Sequence, residues 1–396
     1  MKILITNITL IYSGGSQLYT LDLASYLSEQ GHEVVVFSPS LGPIAQEISK
    51  LKNVIVTNNL EQVKLIKFDV LHIHHNVNAY LVREYFPDVP ALMVIHGVLP
   101  EYEQPPQIDL GISKYIAVSQ EVKEYMIKRY DIPESQIVII HNWVNADKFK
   151  KKSDINEIPK RILVVSNHYP EEHRKIYETV CKRRGLDITH VGLPDNSVTN
   201  VEDYMNNADI VITLGRGAME AMSLGRNVIV SDIYGMDGML NSKVYLESVK
   251  NNLSGRRYRR KVTEDRFETE LDKYSFSNGI TLQTIVKENH NREKNIRDIL
   301  KQYKIILSSN VTLDENFKKV LTEMKVLSRQ NGERESLVYT SRMENKHLEE
   351  ENKKYRNELE IYKRSKIFKL AQRYWGLRDK ILKKRPFSFF NKNSSL

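Results

Sequence analysis

The chain has 396 residues, 41% of them apolar, with a formal net charge of +9 and one cysteine. Its length suits two globular domains with a remainder, each large enough to bury a core. The lone Cys181 excludes a disulfide framework and a thiolate metal cage, and no run approaches the ~18 apolar residues of a membrane-spanning helix. Residues 363–396 hold eleven Lys or Arg and one acid, which leaves 48 bases against 49 acids elsewhere, so the basic excess belongs to a tail and nucleic acid is not expected as a partner.

The start, Met1-Lys2-Ile3-Leu4-Ile5-Thr6-Asn7, reads as a buried strand and not as a secretory leader, so the expected location is cytoplasmic. Strands are predicted at residues 2–8, 33–38, 53–57, 69–74, 91–96, 115–118 and 136–140, several of them nearly continuous in Ile, Val and Leu. Such runs are what strands buried on both faces of a parallel sheet require. Between the first two, residues 17–29 carry Leu18, Leu21, Ala24 and Leu27 near helical spacing and stop at Gly31. Charge and a proline break the apolar pattern over residues 148–159, which is the predicted linker. A second alternation follows, with strands at 161–165, 187–191, 209–214 and 227–231. Two β/α alternations in series predict two doubly wound domains, 1–150 and 151–280, with ligands between them at the carboxyl ends of the strands. Residues 281–362 form a charged helical region in which Leu348, Asn352, Tyr355, Leu359 and Tyr362 follow a four-three spacing, the seam of a short coiled coil. A homodimer through 341–362 is one reading, and a solvated helix packed on the body is the other. In the tail, 363–396, aromatic and aliphatic residues alternate with bases, the pattern of a helix lying on an anionic membrane through 363–385.

Four groups of residues carry candidate chemistry. Ser13-Gly14-Gly15-Ser16 follows the first strand and opens a helix, where glycine allows close backbone approach and helix amides meet oxygen atoms. The spacing departs from Gly-x-Gly-x-x-Gly, which disfavours a dinucleotide. His72, His74, His75 and His96 end two strands; without acids in ligand-like spacing they are expected to meet substrate hydroxyls or phosphates, with no metal. In residues 208–240 a strand ends at Gly215-Arg216-Gly217 and a helix opens with Glu220 expected in its first turn. Helix amides with Arg216 suit a diphosphate, and the Glu220 carboxylate suits ribose hydroxyls. A plain βα turn with Glu220 complementing the helix dipole is the alternative. The basic run Gly255–Lys261 reads as a solvated loop or a contributor to phosphate binding.

These landmarks resemble, in order, those of family-4-like nucleotide-sugar glycosyltransferases of the GT-B fold, over residues 1–275. Gly14-Gly15 with LDLASYLSEQGHEVVVFSP is similar to the family's Gly-Gly loop, helix and second strand; DVLHIH and VIHG to its cleft-facing histidine strands; YIAVSQEVKEYM to the strand and helix before its linker; IVIIHNWVNADKF to its Asn-Gly-Val-Asp segment; and ADIVITLGRGAMEAMSLGRNVIVSD to its donor block. The resemblance implies sugar transfer from a nucleotide diphosphate to an acceptor hydroxyl, with no cofactor, no metal and retention of anomeric configuration. It implies catalytic roles for His96 and Glu220, and nucleotide-sugar contacts from Gly14, Gly15, Asn142, Asn167, His168, Arg174, Gly215, Arg216, Gly217 and Glu220. Three departures stand out. The first glutamate of the family's Glu-x7-Glu falls on Ile212, the diphosphate clamp is replaced by Ser166-Asn167-His168 with Arg174-Lys175, and Trp143 occupies a usual glycine. The basic tail extends the reading to a lipid-linked saccharide acceptor in envelope polysaccharide assembly. An inactive relative serving as a scaffold and a nucleotide-sugar epimerase are the alternatives.

Overall fold

The computed structural model describes residues 1–167, 170–192, 198 and 200–364. The chain divides into two compact units, Met1–Glu333 and Arg334–Leu396. The first unit holds both sheets. Its first sheet is built from β1 (Lys2–Thr6), β2 (Glu33–Phe37), β3 (Val54–Thr57), β4 (Val70–His74), β5 (Ala91–Ile95), β6 (Ile112–Ala117) and β7 (Ile137–Ile139), connected by α1 (Gly15–Glu29), α2 (Pro43–Ser49), α3 (Asn76–Tyr85) and α4 (Gln120–Tyr130). All seven strands are parallel, in the order β3-β2-β1-β4-β5-β6-β7. The chain order reverses between β1 and β4, and at such a switch point the diverging loops leave a crevice for ligand.

The second sheet takes β8 (Arg161–Val165), β9 (Asp187–Val191), β10 (Ile210–Thr213), β11 (Asn227–Asp232) and β12 (Gly235–Met239), with α5 (Glu171–Arg184), α6 (Val201–Asn206), α7 (Gly215–Ser223), α8 (Ser242–Ser248) and α9 (Glu264–Leu271) around it. Its order is β12-β11-β10-β8-β9, with the switch point between β8 and β10. The one antiparallel strand, β12, was not expected. Its sequence, Gly-Met-Asp-Gly-Met, carries two glycines and reads as a turn. Both have positive φ, and a Cβ on Gly238 would meet the Glu270 carboxylate at 2.7 Å, whose Oε2 accepts from the Met239 amide at 2.7 Å. A buried carboxylate thus holds a strand that propensity alone would not form.

The chain crosses between the domains twice. On the way out, Trp143 packs in the first core and Val144 in the second. On return, α10 (Phe276–Asn289) buries Leu282 and Val286 in the second core, whereas α11 (Arg292–Ile306) buries Ile296, Ile299, Tyr303 and Ile306 in the first. The two crossings bind each other. The Val144 amide donates to the His290 carbonyl (3.0 Å), His290 Nδ1 to the Asn142 carbonyl (2.7 Å) and Asn295 Nδ2 to the His141 carbonyl (2.8 Å). Residues 148–159, where a linker was predicted, lie on the second domain, with Asn156 donating to Asp209 and Ser153 to the Asn206 carbonyl. The first domain is therefore completed by chain that follows the second.

The last helix, α12 (Phe317–Arg364), runs for 48 residues. Its first turns reach the first core through Phe317 and Leu321. In the second unit, taken by itself, the helix continues to Arg364, and the seam residues Leu348 and Tyr355 are exposed. Residues 365–396, with most of the predicted membrane-binding tail, lie outside the described residues. Since Ile299 is fully buried, Ile299→Ala should cost about 2–5 kcal/mol of unfolding free energy, read by urea denaturation. A change within 0.5 kcal/mol would show α11 to be only loosely docked.

Candidate functional site

In the first domain the switch point is pinned by Thr6, whose hydroxyl donates to the His74 carbonyl and accepts from the His74 amide, each at 3.1 Å. Four histidines gather there. His74 Nδ1 lies 2.7 Å from His96 Nε2, their rings stacked at 4.9 Å, and His72 Nδ1 lies 2.7 Å from the Tyr303 hydroxyl on α11. The Ile8 amide donates to His75 Nδ1 at 3.3 Å, so a neutral His75 carries its proton on Nε2. Tyr19 of α1 lies edge-on to His74 and His96, and its hydroxyl, with Nε2 of His72 and of His74, is buried without a hydrogen-bond partner. Among the described residues no group of three or more His, Cys, Asp and Glu is arranged to hold a metal ion.

Burial makes this a cluster of neutral imidazoles. It pushes the pKa of His72 and of His75 down to about 3 and that of His96 down to about 4, with His96 adding to the shift at His72 and His75 and the His74 backbone opposing it at His75, and it drives His74 well below the usual range. His96 bonds to His74 inside this cluster and does not stand free in the cleft. Beside it, Glu103 was not anticipated from the sequence. Its Oε2 would lie 2.9 Å from a Cβ on Gly97, and burial pushes its carboxyl up to about 7 against the opposing pull of Arg256.

Gly14 and Gly15 sit where α1 begins. A Cβ on Gly14 would run into Gln17 Oε1, whereas a Cβ on Gly15 would meet nothing within 4 Å. In the second domain a single residue, Leu214, separates β10 from α7. Gly215 takes φ +54°, its amide donates to the Leu253 carbonyl (2.8 Å), and a Cβ on Gly217 would meet Thr213 Oγ1 at 2.6 Å. That single-residue connection explains Ile212. With no loop to carry an acidic side chain, position 212 is a β10 residue buried in the core. It also corrects the placement of Glu220, which is the sixth residue of α7 and lies a turn beyond the first-turn amides.

What Glu220 meets instead is Arg216, four residues earlier on the same face. Arg216 Nε donates to Glu220 Oε1 at 2.8 Å, and its NH2 donates to Asp22 Oδ2 on α1 at 2.7 Å. The three side chains are 14%, 8% and 7% exposed for Arg216, Glu220 and Asp22. Asp22 also accepts from Trp143 Nε1 (3.3 Å) and Asn145 Nδ2 (3.2 Å). Burial raises the Glu220 carboxyl and Arg216 opposes it; burial also pulls Arg216 down, but the two carboxylates outweigh this and keep it charged. Arg216, expected to neutralise a diphosphate, is thus committed to two carboxylates, one from each domain. Asp22 was not singled out from the sequence, and no local signal marks it, since its partner is 194 residues away.

The remaining predicted residues are dispersed around this centre. Asn142 Nδ2 donates to Asn252 Oδ1 (3.3 Å), joining the outgoing crossing to the loop beside Gly215. Asn167 is exposed after β8, its Oδ1 within 3.0 Å of where a Gly192 Cβ would stand. Arg174 lies on α5 and donates to Glu178 Oε1 at 3.0 Å. His168 lies outside the described residues. In the basic run, Arg256 crosses to Glu121 at the start of α4 (2.6 Å), Arg257 pairs with Glu247, and Arg260 covers the Tyr258 ring. Those bases meet acids and a ring of their own chain.

Because the four clustered histidines stay neutral in the fold and protonate once unfolded, the unfolded chain binds more protons between their folded values and ~6.5. Stability is therefore present above that range and is lost as the pH falls. Lowering the pH from 6.5 to 5.5 should remove about 1 kcal/mol for each histidine, read by urea denaturation. A flat profile would contradict neutral burial.

Residues 13–148 match the family model described as Glycosyltransferase Family 4. No curated protein matches the chain in sequence. Among solved structures, a glycosyltransferase from Rickettsia africae is similar at 18% identity and a TM-score of 0.56, over 78% of this chain and 99% of that one. HepE from Anabaena, solved with UDP and glucose, is similar at 14% identity and 0.56, over 77% and 99%. The catalytic domain of starch synthase IV from Arabidopsis thaliana, solved with ADP and acarbose, is similar at 10% and 0.51, over 78% and 99%. At these identities the likeness is one of fold.

Proposed function

We propose that this chain, which has the GT-B fold and a first domain matching Glycosyltransferase Family 4, transfers a sugar from a nucleoside diphosphate donor to an acceptor hydroxyl. One observation carries the reading. At the switch-point end of the second sheet, a glycine-opened helix start and a buried carboxylate stand together on α7, which α1 of the first domain meets through Asp22. Among the described residues only Arg216 donates to the Glu220 carboxylate, through Oε1, so the other carboxylate oxygen is left for ribose hydroxyls. The first-turn amides of Arg216 and Gly217, which have no intrahelical acceptor, suit the diphosphate. Departure of a nucleoside diphosphate then depends on donors fixed in place before reaction, and no step is routed through a metal or other cofactor.

On the acceptor side the histidine cluster is kept uncharged by burial. Neutral imidazoles donate or accept hydrogen bonds to sugar hydroxyls without bringing a net charge, and His96, the least buried of the four, opens the loop after β5 beside Gly97 and Glu103. Retention of configuration and a hexosyl donor belong to the same reading by resemblance. So does a cytoplasmic protein held at an anionic membrane by its basic tail, with a glycan or lipid-linked saccharide as acceptor. No helix among the described residues is long and apolar enough to cross a membrane. Exposed Leu348 and Tyr355 support a second copy as partner of residues 341–362.

The mutual pairing of Arg216 and Glu220, with Ile212 buried, favours a second reading, an inactive relative that serves as a scaffold. Calorimetric titration with UDP, GDP, dTDP and CDP separates the two. A donor site binds one of them, and Glu220→Ala weakens it roughly 10- to 100-fold, the worth of hydrogen bonds to a charged group. Arg174→Ala should cost less, because Arg174 already pairs along α5. No binding to the folded wild type would transfer the case to the scaffold. For the tail, a chain ending at Tyr362 should lose binding to phosphatidylserine vesicles that the full chain retains; equal binding removes the membrane assignment.

A further inference from the structure

The geometry points to Asp22 as a positioning residue of the donor site: it holds the Arg216 guanidinium on the first domain, and a donor diphosphate competes with it for that cation. The inference rests on the donor reading above and goes beyond it, because Asp22 lies in the other domain. Arg216 divides its donors, Nε to Glu220 and NH2 to Asp22, at 2.8 and 2.7 Å. Both Asp22 oxygens are engaged: Oδ2 by Arg216 and Trp143, Oδ1 by Asn145. The carboxylate is therefore fixed from three directions: by Trp143 of the first core, by Asn145 just past the crossing, and by Arg216 of the second domain, the one charged donor among them.

Charge arithmetic then sets the direction. One guanidinium between two carboxylates leaves an excess negative charge when both are ionised. Lys148 is the other cation felt at Glu220, and it is farther away, without a direct contact to the carboxylate. A diphosphate arriving at the start of α7 meets that excess with little water between to weaken it. It gains the guanidinium only as Asp22 gives it up. Removing the Asp22 charge leaves Arg216 and Glu220 as a neutral pair and frees the NH2 for phosphate. Loss of a merely structural contact would loosen the site and weaken binding; loss of a competitor tightens it. The two roles have opposite signs.

The test uses the full chain and whichever of UDP, GDP, dTDP or CDP the wild type binds. Asp22→Asn should bind that nucleotide about tenfold more tightly, with a steeper loss of affinity as salt is raised, whereas Asp22→Glu should stay within about threefold of wild type. An amide at position 22 turns one NH2 toward the Trp143, Asn145 or Arg216 donors. Where thermal unfolding shows that it fails to fold, Asp22→Ser serves, since a water can enter and accept from them. A folded Asp22→Asn or Asp22→Ser chain that binds no more tightly than wild type overturns the inference while leaving the donor site standing. Absence of binding in the wild type itself, or a Glu220→Ala chain that binds as well as wild type, instead overturns the donor reading on which the inference rests.

Discussion

One buried cation shared by two carboxylates joins the halves of the first unit, Asp22 on α1 and Glu220 on α7. Arg216 is worth burying only because both oxygens it meets are charged and fixed, since an unpaired ion taken out of water costs several kcal/mol. The fixing is hydrophobic at its base. Asp22 sits on α1 among Tyr19, Leu23 and Tyr26, all buried in the first core, and Trp143 packs on Tyr19 at 4.2 Å between ring centroids. The indole that replaces a usual glycine is therefore doing two things. It fills the gap under the crossing segment and donates to Asp22, which makes the carboxylate's position a consequence of core packing.

That position would mean little if the domains were joined by one loose strand. The return of α11 to the first core prevents this. Its apolar face inserts Ile296, Ile299 and Tyr303 under the first sheet, and the Tyr303 hydroxyl reaches His72 within the histidine cluster. His290 before α11 and Asn295 in its first turn meanwhile bind the outgoing crossing at the Asn142 and His141 carbonyls. The two passes of chain are hydrogen-bonded to each other through a parallel bridge at Val144 and Asn291, and the ion pairs Asp22–Arg216 and Glu121–Arg256 also join the two domains.

The strands were legible because a parallel sheet covered on both faces favours apolar runs, nearly continuous in several of the eleven predicted segments, and strands form at all eleven places, including the half-exposed Asp-Ile-Thr-His-Val of β9. β12 was not, because Glu270 and two positive-φ glycines sustain it, and neither is a propensity signal. The glycines of the site were legible as strand-to-helix turns. Their partners were not. Glu220 could be found from its motif, but its depth in α7 follows from a connection one residue long, and Arg216 looked free for phosphate because the acid that holds it comes from another domain. Glu103 was invisible for a related reason: its raised carboxyl comes from burial against Gly97, which no spacing encodes.

The two sides of the cleft solve different electrostatic problems. On the first-domain side four imidazoles are buried so deeply that protonation is suppressed, and the histidine cluster offers polarity without charge. On the second-domain side charge is kept, at the expense of desolvation, by pairing it. A neutral polyol needs only the former, since its hydroxyls exchange water for protein hydrogen bonds one for one. An anionic leaving group needs the latter, and needs it held back until the ligand arrives, because a buried arginine without a carboxylate would destabilise the empty protein. On the proposed donor reading, Asp22 meets both demands at once. It keeps Arg216 charged and buried while the site is empty, and it does so from the opposite domain, so the cation's allegiance and the grip between the domains are set by the same bond.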